Sequence, residues 1–235
     1  MATVTILQPD PAHTIDRFGD WLSECGITMD TVLLWEDPVP TIDQLGDGVI
    51  LLGGFMSAHD GIDHPWIEPV GWLLKEATAR SIPMLAFGLG HQILAQAFGG
   101  HVAVPGPTGL EEGAVELTLT QAALTDPVIS SVSKGNVLMG FLSHGDAVER
   151  LPADAHLLAS STAYNYQAFR IGSSLAIQFH PEASPAQVAR WHVANGGEQE
   201  PLLSALQAVD GRVAYNGQRI AYAFARQLGV QAPEI

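Results

Sequence analysis

The chain has 235 residues, 47% of them hydrophobic, and carries a net charge of −15 with only ten Lys and Arg. That length suits one domain with a large core. The few scattered cations exclude a nucleic-acid surface, which needs Lys and Arg to neutralise phosphates, and no stretch approaches the roughly 18 apolar residues of a membrane span. The opening MATVTILQPDPAH has no basic n-region and its apolar run stops at Gln8, so no secretory leader is expected and a cytoplasmic location is. With one cysteine, Cys25, no intrachain disulfide can form.

In chain order, Thr3 to Gln8 predicts a first strand, and Pro9-Asp10-Pro11 turns the chain into an amphipathic helix over 14–25. Thr31 to Trp35 predicts the second strand, 36–47 a loop or short helix, and Val49 to Leu52 a third strand ending at Gly53-Gly54. A helix follows over 64–80, with Ile67, Val70, Leu73, Leu74 and Ala77 on its buried face. Met84 to Phe87 is too short for a helix and predicts a buried strand, followed by a helix over 89–98 that Gly99-Gly100 stops. Strands alternating with helices specify an α/β domain with a mostly parallel central sheet covered on both faces.

The second half changes texture. Short strands are predicted at 101–104, 114–120, 137–142, 156–160, 166–171 and 175–179, extending the sheet through antiparallel pairs. Helices return at 184–194, around 202–209 and at 218–228, and Gly196-Gly197 with the acidic 198–200 is the expected mobile connection. The expected domain division is 1–195, with 196–235 a C-terminal helical extension of the same domain.

Pro83 to Gly100, PMLAFGLGHQILAQAFGG, is therefore a strand, a sharp turn at Gly88 and a helix. That elbow presents one residue at the carboxyl edge of a sheet, beside free N–H groups of a helix N-terminus. Here the residue is a glycine, which relaxes the strained backbone of such a turn and offers no nucleophile. AFGLGHQ at 86–92 resembles the nucleophile elbow of the class I glutamine amidotransferases, with glycine where that family has cysteine. AIQFHPE at 176–182 resembles the family's His-x-Glu block, 92 residues beyond the elbow. GGFMS at 53–57 is similar to its oxyanion turn, with Phe55 for the usual proline, and SHGD at 143–146 to the segment that shapes the glutamine pocket.

Within that family the chain resembles stand-alone domains of the GMP synthase amidotransferase type. The resemblance implies His180 as the imidazole and Glu182 as its orienting carboxylate, with Gly88 at the nucleophile position. It implies oxyanion N–H groups from Gly54 and Leu89, a substrate pocket with Gln92, Ser143, His144 and Gly145, and no metal or cofactor. The ligand implied is glutamine or a γ-glutamyl compound, and the partner a synthase; no nucleic acid and no membrane are expected. Three readings of Gly88 stay open: a binding module that has lost thiol chemistry, a hydrolase or transferase using His180 and Glu182 without a thiol, and an inactivated form of a cysteine enzyme.

Other signals are weaker. Cys25 ends a helix, where the dipole disfavours a thiolate, so it reads as structural. His59, Asp60, Asp63 and His64 read as a solvated loop rather than a metal site. Gly88-Leu89-Gly90 lacks the third glycine of a dinucleotide fingerprint, since Ile93 stands there. Tyr164 and Tyr166 fit either a pocket wall or a strand core.

Overall fold

The computed structural model describes residues 2–233; residues 1, 234 and 235, at the ends of the two expected segments, lie outside it. Eleven strands and five α-helices are described. The first half contains β1 (Thr3–Gln8), α1 (Asp16–Glu24), β2 (Thr28–Leu33), β3 (Gly48–Leu51), α2 (Ile67–Ala79), β4 (Met84–Phe87) and α3 (Leu89–Ala97). The second contains β5 (His101–Ala103), β6 (Glu111–Leu119), β7 (Val137–His144), β8 (Ala147–Arg150), β9 (His156–Ser160), β10 (Ala168–Ile171), β11 (Ser174–Ile177), α4 (Pro185–Ala194) and α5 (Gln199–Gln227).

Nine strands form one sheet in the order β2-β1-β3-β4-β11-β10-β9-β6-β7. The first five are mutually parallel and the rest antiparallel. This is the expected α/β architecture, with the antiparallel strands on one side. β5 and β8 make a separate two-stranded ribbon.

The period-2 alternation of strands divides the core into two layers. On β4, Leu85 and Phe87 pack with α1 and α5 through Phe18, Leu22, Ile220 and Phe224. Met84 and Ala86 face the other way, onto α2 and α3 through Leu73, Leu74, Ile93 and Leu94. A smaller cluster of Phe141, Val188, Trp191, Leu206 and Val213 binds α4 and α5 to β7.

Several boundaries differ from the sequence-based expectation. The second strand starts three residues earlier, at Thr28, because it pairs in register with Thr3–Gln8 and its polar residues sit on an open sheet edge. β8, not anticipated, pairs with β5. The two helices expected at 202–209 and 218–228 are one continuous 29-residue helix. Gly217, between the two expected helices, is a point of close approach: a Cβ there would press on the Pro181 carbonyl oxygen and stand 2.8 Å from the Trp21 ring.

Candidate functional site

The parallel strands all end toward one edge, where the turns after β1, β3, β4 and β11 converge. Ligands of open α/β sheets sit at such carboxyl ends. A cavity of about 320 Å³ opens there, and Gly54, Gly88, Leu89, Gln92, Ser143, His144, Gly145 and His180 all line it. Of the expected site residues only Glu182 stands behind the wall, buried against His180.

The elbow is built by β4 running into α3. Gly88 has φ 53° and ψ −112°, a backbone region suited to glycine, and its N–H donates to the Ile177 carbonyl (3.0 Å). Leu89 and Gly90 open α3 at the cavity floor, where first-turn N–H groups have no helical acceptor. Gly54 packs against the Leu89 side chain: a Cβ on it would stand 3.1 Å from Leu89 Cδ2. The two expected oxyanion residues are thus neighbours.

His180 follows β11 and is pinned by three contacts. Its N–H donates to the Phe141 carbonyl (2.8 Å), its Nδ1 meets Glu182 Oε1 at 2.7 Å, and its ring lies 4.7 Å from that of Trp191. The carboxylate accepts from Nδ1 and turns Nε2 toward the elbow. A Cβ built on Gly88 would stand 2.7 Å from His180 Cε1 and 3.2 Å from Nε2. The imidazole therefore lies directly over the elbow.

The opposite wall is a hydrogen-bonded network. Gln92 Nε2 donates to the Asp146 carbonyl (3.1 Å) and to Gln178 Oε1 (3.2 Å), tying α3 to the 143–146 segment. His144 Nδ1 meets the Asp146 carbonyl at 2.9 Å and its Nε2 meets Glu111 Oε2 at 3.1 Å, so both nitrogens are engaged inside the protein. Burial would raise the Glu111 pKa, but hydrogen bonds from His144, Ser161 and Gln167 outweigh it and hold the carboxyl below its ordinary range. The Ser143 hydroxyl donates to Glu112 (3.3 Å). Burial raises the pKa of Asp146, another wall residue.

Sequence reasoning missed His13. It lies on the loop after β1 and lines the cavity beside His180, its ring stacked on Trp191. Local order carries no signal for it, because its loop is held at the site by Trp191, whose Nε1 donates to the Ala12 carbonyl from 179 residues away.

The remaining candidates fall elsewhere. Cys25 packs in the core beneath α1 with its thiol pushed up by burial. Asp60 accepts from the Ser57 N–H (2.7 Å) in a local turn, and among the described residues no group of three or more His, Cys, Asp or Glu is placed to hold a metal ion. Tyr164 is buried beside the ring of His144, whereas Tyr166 packs on the α2–α3 core layer.

Comparison with known proteins agrees with this geometry. The chain is 36% identical over 138 residues to a "GMP synthase [glutamine-hydrolyzing]" of Streptococcus pneumoniae, a match covering 57% of this chain and 24% of that protein. The match thus spans about a quarter of the length of that relative. Among solved structures, a glutamine amidotransferase from Thermotoga maritima superposes with a TM-score of 0.83 at 22% identity, covering 95% of this chain and 97% of that one. One from Methylobacillus flagellatus superposes with a TM-score of 0.82 at 26% identity, covering 99% and 97%. The family model for glutamine amidotransferase class-I matches residues 19–196, so the chain belongs to the class I glutamine amidotransferase family.

Proposed function

We propose that the cavity is a γ-glutamyl amide site without a thiol. It takes the side chain of glutamine or of a γ-glutamyl compound, with Gly88 in the place of the nucleophile. Gly54 and Leu89 direct backbone N–H groups at the amide oxygen. Gln92, Ser143, His144 and Gly145 form the wall against the rest of the ligand, and residues 196–233 belong to the same domain as a helical extension. The carrying observation is that the elbow glycine points at an imidazole held by a buried carboxylate, 2.7 Å from Cε1 to the built Cβ. Because the oxyanion donors are backbone groups, they persist whatever side chain stands at 88.

The protein then binds without ordinary glutaminase turnover. Calorimetry with glutamine and γ-glutamyl amides should give at least about millimolar affinity, that is about −4 kcal/mol. Ammonia release should stay well below the usual enzyme range of about 1–10³ s⁻¹. Flat titrations across the series would remove the pocket from consideration, and turnover at ordinary rates would remove the thiol argument.

A synthase partner fits this reading, since the Streptococcus pneumoniae relative is named a glutamine-hydrolysing synthase and continues well beyond the matched region. A second reading, a hydrolase with His180 and Glu182 acting on water, is favoured by the imidazole's position over the elbow, where the sulfur of a cysteine would otherwise stand.

A further inference from the structure

Two histidine ring edges meet at the cavity floor, His180 over Gly88 and Gly53, and His13 over Gly53. His13 is placed by a loop clamped to α4: Trp191 Nε1 donates to the Ala12 carbonyl (2.8 Å), Gln187 Nε2 to the Thr14 carbonyl (3.0 Å), and Thr14 Oγ1 to Gln187 Oε1 (2.8 Å). The His13 ring lies flat on Trp191, 4.5 Å between centroids and 12° between planes, while Phe55 meets it edge-on at 4.6 Å. Its Nδ1 lies 3.5 Å from Asp10 Oδ1 without a formed hydrogen bond, and the ring lines the cavity. His13 Cδ2 and His180 Cε1 stand 3.0 and 3.3 Å from one point, the Cβ position of Gly53. Each imidazole thus has a carboxylate behind it, and both point their far edges at the same floor.

We propose that His13 and His180 are a proton-transfer pair over the Gly53–Gly88 floor, hydrolysing a γ-glutamyl amide through water with no covalent intermediate. The inference rests on the γ-glutamyl reading of the cavity. His13 Nε2 takes a proton from a water molecule, whose oxygen bonds to the amide carbon. The carbonyl π pair moves onto oxygen and is held by the N–H groups of Gly54 and Leu89. Collapse of this intermediate breaks the C–N bond, and the leaving nitrogen takes its proton from the His180 imidazolium. One water is consumed and a carboxylate and an amine leave. His13 then returns its proton to solvent, and His180 regains one from the hydroxyl of the newly formed acid, which leaves as the carboxylate. Burial lowers the His13 pKa, outweighing Asp10, so its ring rests neutral and ready to accept. Glu182 is a positioning residue that fixes which His180 nitrogen faces the cavity, while His13 is held by its stack on Trp191 with the Asp10 carboxylate nearby.

The test separates base from acid by leaving group. Slow hydrolysis of glutamine, a poor leaving group, and of γ-glutamyl p-nitroanilide, a good one, is followed for the wild type, His13→Phe and His180→Ala. His13→Phe keeps the stack on Trp191, and His13→Gln serves as a second variant should the first fail to melt cooperatively. Loss of the base should slow both substrates alike, by about 10²–10⁴-fold. Loss of the acid should slow glutamine by that amount and the anilide by less than about tenfold, since p-nitroaniline leaves with little help. Wild-type rates in folded His13 variants, or a wild type no faster than buffer, would overturn the pair. Calorimetry with both compounds separates the two levels: binding without hydrolysis overturns the pair and leaves the pocket standing, whereas no binding overturns both.

Discussion

At the scale of single residues, Gly88 governs what the site can do. Its positive φ would strain any other residue, and a Cβ would press on a ring already held by Glu182 and Trp191. Gly88→Cys should therefore melt lower, by about 1–3 kcal/mol of lost stability. Its sulfur would sit at a helix N-terminus beside an imidazole, both of which favour a thiolate. A glutamine-like chloroketone should label the single variant and spare Gly88→Cys/His180→Ala; a folded single variant that stays unlabelled means the pocket has diverged beyond the elbow. Gly88 and His180 were legible in the sequence because each sits in a block whose local order is its geometry. His13 was not, because what brings it to the site is a clamp between Trp191 and Ala12, groups 179 residues apart, and no local pattern announces that.

At the scale of elements, the parallel half of the sheet could be read from strand and helix periods, and the elbow from four apolar residues followed by glycine. The long helix could not. Residues 210–218 carry Asp210, Gly211, Asn216 and Gly217, and local propensity argues for a break there. Tertiary contacts override it: Asn216 Nδ2 donates to the Met139 carbonyl (3.1 Å), Arg17 pairs with Asp210 at 2.7 Å, and Gly217 lets α5 touch Pro181. An ordinary helical Gly→Ala change stabilises by about 1 kcal/mol. Gly217→Ala should do the reverse, lowering stability by about 1–3 kcal/mol through overpacking against a backbone oxygen. Because Pro181 lies between His180 and Glu182, the variant should also weaken ligand binding. A raised urea midpoint with unchanged binding would show that this contact is slack.

At the scale of the whole molecule, the polar interior sets how the fold meets acid. His91 is fully buried, with Nδ1 3.1 Å from Gln178 Oε1, and burial pulls its pKa from 6.5 down to about 3. His13 is shifted the same way. An unfolded chain takes up protons at these positions near pH 6.5 that the folded chain refuses, so stability falls as pH drops below about 6.5. For His91 that loss runs on toward pH 3, at up to about 1.4 kcal/mol per pH unit. Asp10 and Glu111, whose pKa values are lowered, add to the loss once pH falls through the carboxylate range. Asp146, whose pKa is raised, opposes it, as does relief of repulsion in a chain of net charge −15. Urea midpoints should decline between pH 7 and 5, and His91→Asn should decline less steeply, by up to one proton. Parallel lines for the two proteins would place the acid sensitivity elsewhere.

The fit of His180 over Gly88 also bears on how a thiol could arise at this position. A glycine codon ending in a pyrimidine becomes a cysteine codon by one change at its first base, so from such a codon the thiol lies a single mutation away. Selection, however, meets that mutant first as a less stable protein, because the imidazole stands in the way of the incoming Cβ. A thiol at this elbow is thus reached with least loss of stability after a prior shift of the ring, its carboxylate or the indole beside it, none of which confers an advantage while position 88 is glycine.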